Sequence, residues 1–105
     1  MYKHVVLWKV KSGLDSHEKT AQMSKASEML GKLPAHISGI TQFEVGPNIG
    51  NYQASFYDLC LVSAFETRED FENYCRDPVH DRVVEFIGSI TEDERIVDFE
   101  DGGPQ

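Results

Sequence analysis

The chain has 105 residues, with 10 Lys and Arg against 18 Asp and Glu and a net charge of -8. That length fits one domain with a thin core. The charge balance disfavours nucleic acid and anionic membranes as partners, because phosphate binding takes clustered Lys and Arg and only Lys9, Lys11 and Lys19 approach a cluster.

Tyr2 to Lys11 reads as a strand, with His4, Val6, Trp8 and Val10 on one face and Val5, Leu7, Lys9 and Lys11 on the other. Large apolar groups on both faces predict a central strand of a covered sheet. The apolar run is too short and too interrupted for a signal peptide or a membrane span, so a cytoplasmic protein is the expectation. Asp15 then caps a helix with Glu18 in the capping-box position. Met23, Ala26, Met29, Leu30 and Leu33 recur at helical spacing as a core stripe until Leu33-Pro34 stops it.

Thr41 to Gly46 alternates Phe43 and Val45 with Gln42 and Glu44, the pattern of an edge strand, and Gly46 to Asn51 is a loop. Asp58 to Phe65 is again apolar on both sides. Thr67, with Asp70 three residues on, starts a second helix whose Phe71, Tyr74 and Cys75 share a side. Pro78 cannot sit inside a continuous helix but suits the first position of a new one, and Asp77 before it is a good N-cap. The restarted helix turns Val79, Val83, Phe86, Ile87 and Ile90 inward, with His80 bordering that stripe. Arg95 to Glu100 is a second edge strand. Glu92, Asp93 and Glu94 read with Glu66, Glu69, Asp70 and Glu72 as a solvated acidic face.

This order, β-α-β-β-α-β, predicts an α+β, ferredoxin-like sheet arranged 4-1-3-2 with its helices on one face, spanning residues 1–100, followed by a flexible tail over 101–105. The helices cover one face while the central strands are apolar on both. A second copy of the same sheet is the simplest cover, so the chain is expected to form a homodimer. Cys60 and Cys75 lack metal-site spacing and read as free thiols.

The break at Pro78 also carries the chemistry. On an unbroken helix Tyr74 and His80 would diverge by about 120°; the restart lets them aim at a common point. A phenol near ~10 and an imidazole near ~6.5 form an acid/base pair, with His80 removing a proton alpha to a carbonyl and Tyr74 hydrogen-bonding the oxygen that gains charge. His4 would orient His80 or line the pocket with Trp8. Core packing of the same side chains is the alternative, and the residues by themselves leave both open.

Lys3 to Lys11, Tyr57 to Phe65, the segment Tyr74-x-x-Asp77-Pro78-x-His80 and Arg95 to Glu100, taken together and in order, resemble the stress-responsive dimeric A/B barrel (Dabb) family. The resemblance implies a dimeric α+β barrel. It includes a plant polyketide cyclase in which a Tyr and a His at the positions of Tyr74 and His80 act on a poly-β-keto thioester, and a first-strand His matches His4. Leu59 stands where that cyclase has a further His, and Asp77 where its motif has His. The resemblance implies no organic cofactor; some members hold a magnesium ion on main-chain carbonyls at the end of the first helix, here Leu30, Leu33 and His36. Besides a cofactor-free cyclase or lyase acting on a small polyketide-like or carbonyl substrate, the family admits two alternatives. One is a non-catalytic dimer that binds a hydrophobic small molecule or a partner under stress, the other a cofactor-free monooxygenase.

Overall fold

The computed structural model describes residues 1–101. Four strands, β1 (Tyr2–Val10), β2 (Ile40–Pro47), β3 (Leu59–Phe65) and β4 (Thr91–Glu100), alternate with α1 (Ser16–Gly31), α2 (Arg68–Arg76) and α3 (Pro78–Ile90). They form one antiparallel sheet in the order β2-β3-β1-β4, the expected 4-1-3-2, with the two doubly apolar strands in the centre. Among the described residues no helix is long and apolar enough to cross a membrane.

The helix boundaries follow their caps. Asp15 accepts from the Glu18 N–H at 2.8 Å and starts α1, and Thr67 accepts from the Asp70 N–H at 3.1 Å and starts α2. Asp77 accepts from the Val79 N–H at 2.8 Å, with Pro78 in the first turn of α3. Leu33–Ala35 forms a single 3₁₀ turn after α1, as a proline there requires.

Helices and sheet meet in one core. Val6 and Trp8 of β1, Leu59, Leu61 and Phe65 of β3, Ala26, Leu30 and Leu33 from the end of α1, and Tyr74, Val83, Ile87 and Ile90 from α2 and α3 are all buried in it. The other face carries Val5, Leu7 and Val62, only half-buried, and Val97 and Phe99, 63% and 48% exposed. The period of two along each strand thus divides β1 and β3 into one covered and one uncovered apolar row.

One expectation needs correction. β4 begins at Thr91 rather than Arg95, and α3 passes into it without a loop. Thr91 closes the helix by donating its hydroxyl to the Ile87 carbonyl at 2.8 Å and is already paired with Val10 across the sheet. The acidic run that follows is therefore strand, and pairing Trp8 with Glu94 and His4 with Asp98 turns both carboxylates to the helix-covered side. Asp101 and Met1 exchange backbone hydrogen bonds of 2.8 and 3.0 Å, which anchors both ends of the domain to each other. The remainder of the expected tail, 102–105, lies outside the described residues.

Candidate active site

Between the helices and the sheet lies a cavity of about 590 Å³. All four residues expected at a site, His4, Trp8, Tyr74 and His80, line it. Tyr74 is buried, 1% exposed, and its ring lies 4.3 Å from that of His80 between centroids. Phe65, Phe71 and Phe43 surround it at 5.0, 6.2 and 6.3 Å. Aromatic neighbours on several sides leave this phenol little rotational freedom. The break at Pro78 is what allows the pairing: α2 delivers Tyr74 at its last turn, and α3 brings His80 back at its first.

The electrostatics of the pair suit opposite roles. Burial pushes the Tyr74 hydroxyl well above its ordinary range, with the neighbouring Cys75 adding to the shift, so the phenol keeps its proton. Burial likewise lowers His80, against the Asp81 carboxylate, the Cys75 carbonyl and Asp77, which favour the protonated ring. The imidazole is accordingly neutral at neutral pH, and its Nδ1 is buried with no hydrogen-bond partner. A buried ring nitrogen left unpaired is costly unless a ligand meets it.

The opposite wall is β4. Asp98 Oδ1 lies 2.5 Å from His4 Nδ1, and Oδ2 accepts from the Tyr2 hydroxyl at 2.8 Å. An ionised carboxylate can only accept, so Nδ1 of His4 is the donor in this bond. The Asp98 carboxylate, after burial, helps push Tyr2 up to about 12. His4 is buried against Phe71, 4.8 Å away between ring centres, and Ser63 donates its hydroxyl to the His4 carbonyl at 2.8 Å. Trp8 is buried with its indole N–H donated to Glu94 at 2.6 Å.

Asp98 and Glu94 are the site residues that sequence reasoning missed. Their signal was present as the period-two register opposite His4 and Trp8, but the acidic run masked it. The same holds for Glu92, which lines the cavity and accepts from the Ser12 N–H and, at 2.7 Å, from its hydroxyl.

Of the three residues expected to offer carbonyls at the end of α1, Leu30 lines the cavity and Leu33 and His36 do not. Leu33 is buried and His36 exposed. Pro34 lacks the N–H that the Leu30 carbonyl would otherwise receive, and that oxygen instead meets the Lys32 N–H at the end of α1. The Leu33 carbonyl likewise accepts from the N–H groups of His36 and Ile37 at 3.0 and 3.1 Å. No group of three or more His, Cys, Asp or Glu suited to a metal occurs among the described residues. A hard cation takes six or more oxygens, usually with carboxylates among them, and these carbonyls fit it poorly. Cys60 and Cys75 are free thiols, and Cys75 borders the cavity.

Comparison with known proteins agrees with this architecture. No curated protein matches the chain. A dimeric protein of unknown function with a ferredoxin-like fold from Bacteroides fragilis superposes with a TM-score of 0.83 at 30% identity, over 94% of each chain. A hydroxynitrile lyase from Passiflora edulis gives 0.80 at 18% identity over 98% of this chain and 96% of the other. A putative antibiotic biosynthesis monooxygenase from Nitrosomonas europaea gives 0.75 at 18% identity, over 96% and 98%. The two enzymes are distant enough to share only the fold. The family model of the Stress responsive A/B Barrel Domain matches residues 2–101, nearly the whole described chain, and the protein belongs to that family.

Proposed function

We propose that this protein is a cofactor-free acid–base enzyme acting on a small, mainly apolar carbonyl compound, with His80 as general base and Tyr74 as hydrogen-bond donor to the carbonyl oxygen. The observation that carries this reading is the neutral, buried and unpartnered Nδ1 of His80, on a ring 4.3 Å from that of Tyr74 in the wall of a 590 Å³ cavity. A neutral imidazole can take a proton alpha to the carbonyl, and the negative charge then gathers on the oxygen. A phenol that holds its proton is suited to stabilise that oxygen. His4, held by Asp98, and Trp8 position the substrate. Cyclisation of a β-keto compound begins from such a proton transfer; in cleavage of a cyanohydrin the same neutral imidazole would instead take the hydroxyl proton as the C–C bond breaks and cyanide leaves with the bonding pair.

A panel of β-keto thioesters, ketones and cyanohydrins, offered to the wild type and to His80→Ala, tests it. Turnover by the wild type should fall ~10²- to 10⁴-fold in the variant, the usual contribution of a general base. Binding without turnover by the wild type would leave a ligand carrier, and undiminished turnover in the variant would remove His80 from the mechanism. An oxygen-dependent reaction of a quinol would point instead to monooxygenase chemistry.

We further propose that the working form is a homodimer joined through the open face of the sheet. The row of Val5, Leu7, Val62, Val97 and Phe99 is a contiguous apolar surface of the kind a second copy covers. The relative from Bacteroides fragilis is itself described as dimeric. Light scattering should give twice the chain mass, and Val97→Glu should shift it to the monomer.

A further inference from the structure

The cavity has one charged wall. Glu92, Asp93, Glu94 and Asp98 line it along β4, and no lysine or arginine among the described residues does. The hydrogen bonds of Glu92, Glu94 and Asp98 come from Ser12, from the Trp8 indole, and from Tyr2 and His4, and among the described residues no lysine or arginine pairs with any of the three. Arg95 pairs with Asp93 of the wall itself, which leaves Glu92, Glu94 and Asp98 as its unpaired charges, and Lys9 and Lys19 pair with Asp58 at 3.4 and 2.8 Å. Glu92, Glu94 and Asp98 are exposed, whereas Val6, Trp8 and Tyr74 are buried, so the carboxylates stand on the solvent side and the apolar groups form the floor.

Resting on the reading of this cavity as a substrate pocket, we infer that it takes neutral or cationic apolar carbonyl compounds and rejects those carrying a carboxylate, sulfonate or phosphate near the apolar body. An anion at this wall meets like charges across a partly desolvated space, where repulsion is stronger than in bulk water. It also finds no ammonium or guanidinium to pair with, so its desolvation goes uncompensated. Specificity built on an opposing charge needs no contact unique to the favoured ligand. An ammonium group, in contrast, gains from the same carboxylates.

Trp8, the only tryptophan in the chain, lines the cavity and reports on its occupancy. Three eight-carbon probes that do not absorb with indole, 2-octanone, octylammonium and octanoate, are titrated at low salt while Trp8 emission is followed. Binding of 2-octanone and octylammonium at least tenfold tighter than octanoate is expected, a ratio worth about 1.4 kcal/mol. Glu94→Gln, whose amide oxygen can still accept from the indole, should narrow the ratio, as should 0.5 M NaCl through screening. Octanoate binding as tightly as 2-octanone overturns the inference. If none of the three moves Trp8 emission, it falls together with the pocket. Discrimination among the probes in a protein that turns over no carbonyl compound would sustain the charge rule and remove only the catalytic reading.

Discussion

The two walls of the cavity are built by different means. The α2–α3 wall is neutral, aromatic and buried, and one local event makes it: Asp77 and Pro78 end one helix and start the next, which sets Tyr74 and His80 ring to ring. The β4 wall is acidic and largely exposed. Its side chains owe their direction to strand pairing with β1, across more than eighty residues of sequence. A local device can place a reacting pair on one wall, while a long-range register decides which charges face it. Chemistry and selectivity in this cavity therefore respond to different substitutions.

The largest effect should come from Tyr74. Truncation to Ala, at a side chain 1% exposed and packed against three phenylalanines, should cost about 3–5 kcal/mol in urea denaturation. Tyr74→Phe keeps the packing and should stay within about 1.5 kcal/mol of the wild type while lowering turnover. Equal stability loss in both variants would mean that the hydroxyl has a structural partner.

Asp98→Ala attacks the other wall. It leaves the buried His4 Nδ1 without its carboxylate, and a loss of about 1–3 kcal/mol is expected. His4 and Tyr2 both pack on Phe71 of α2, but Asp98 makes no hydrogen bond to α3, so hydrogen exchange in α3 should change little; collective loss of protection there would show that the walls are not separable.

Asp77→Ala should remove about 1 kcal/mol by deleting the cap on α3. It should also loosen the Tyr74–His80 pairing, which would appear as a lower kcat beside a drop in melting temperature of about 4–8 °C. Asn at the same position keeps an acceptor for the Val79 N–H and should restore most of both.

The smallest effect is a pH dependence with a defined sign. The folded pKa of His80 lies below that of the unfolded chain, ~6.5. As pH falls through that window the unfolded state binds the extra proton first, so the stability contribution of His80 is lost toward acid and is fully present at neutral pH. The acid limb of kcat/KM should lie below pH ~6.5 for the same reason. A limb above that value would show that His80 is protonated in the resting enzyme and unable to act as the base.

Local features of the sequence were enough for the elements and their order. Asp15, Thr67 and Asp77 are caps where their residue types predict caps. The doubly apolar β1 and β3 lie in the middle of the sheet, as apolar residues on both faces predict. Tyr74 and His80 were legible because proline imposes a backbone constraint that neighbouring residues cannot override. β4 was read less well. Strand pairing with Trp8 and Val10 outweighs the weak strand preference of Glu92, Asp93 and Glu94, so the strand starts at Thr91 and its carboxylates join the site.

By itself, then, the sequence determined the alternation of strands and helices, the two-sided central strands and the break that pairs a phenol with an imidazole, because each follows from interactions within a few residues. Only the tertiary structure decided that Asp98 holds His4, that Glu94 holds Trp8, and that the cavity has one acidic wall. Those contacts depend on which residue of β4 lies opposite which residue of β1, and a shift of one residue would turn Glu94 and Asp98 to the other face.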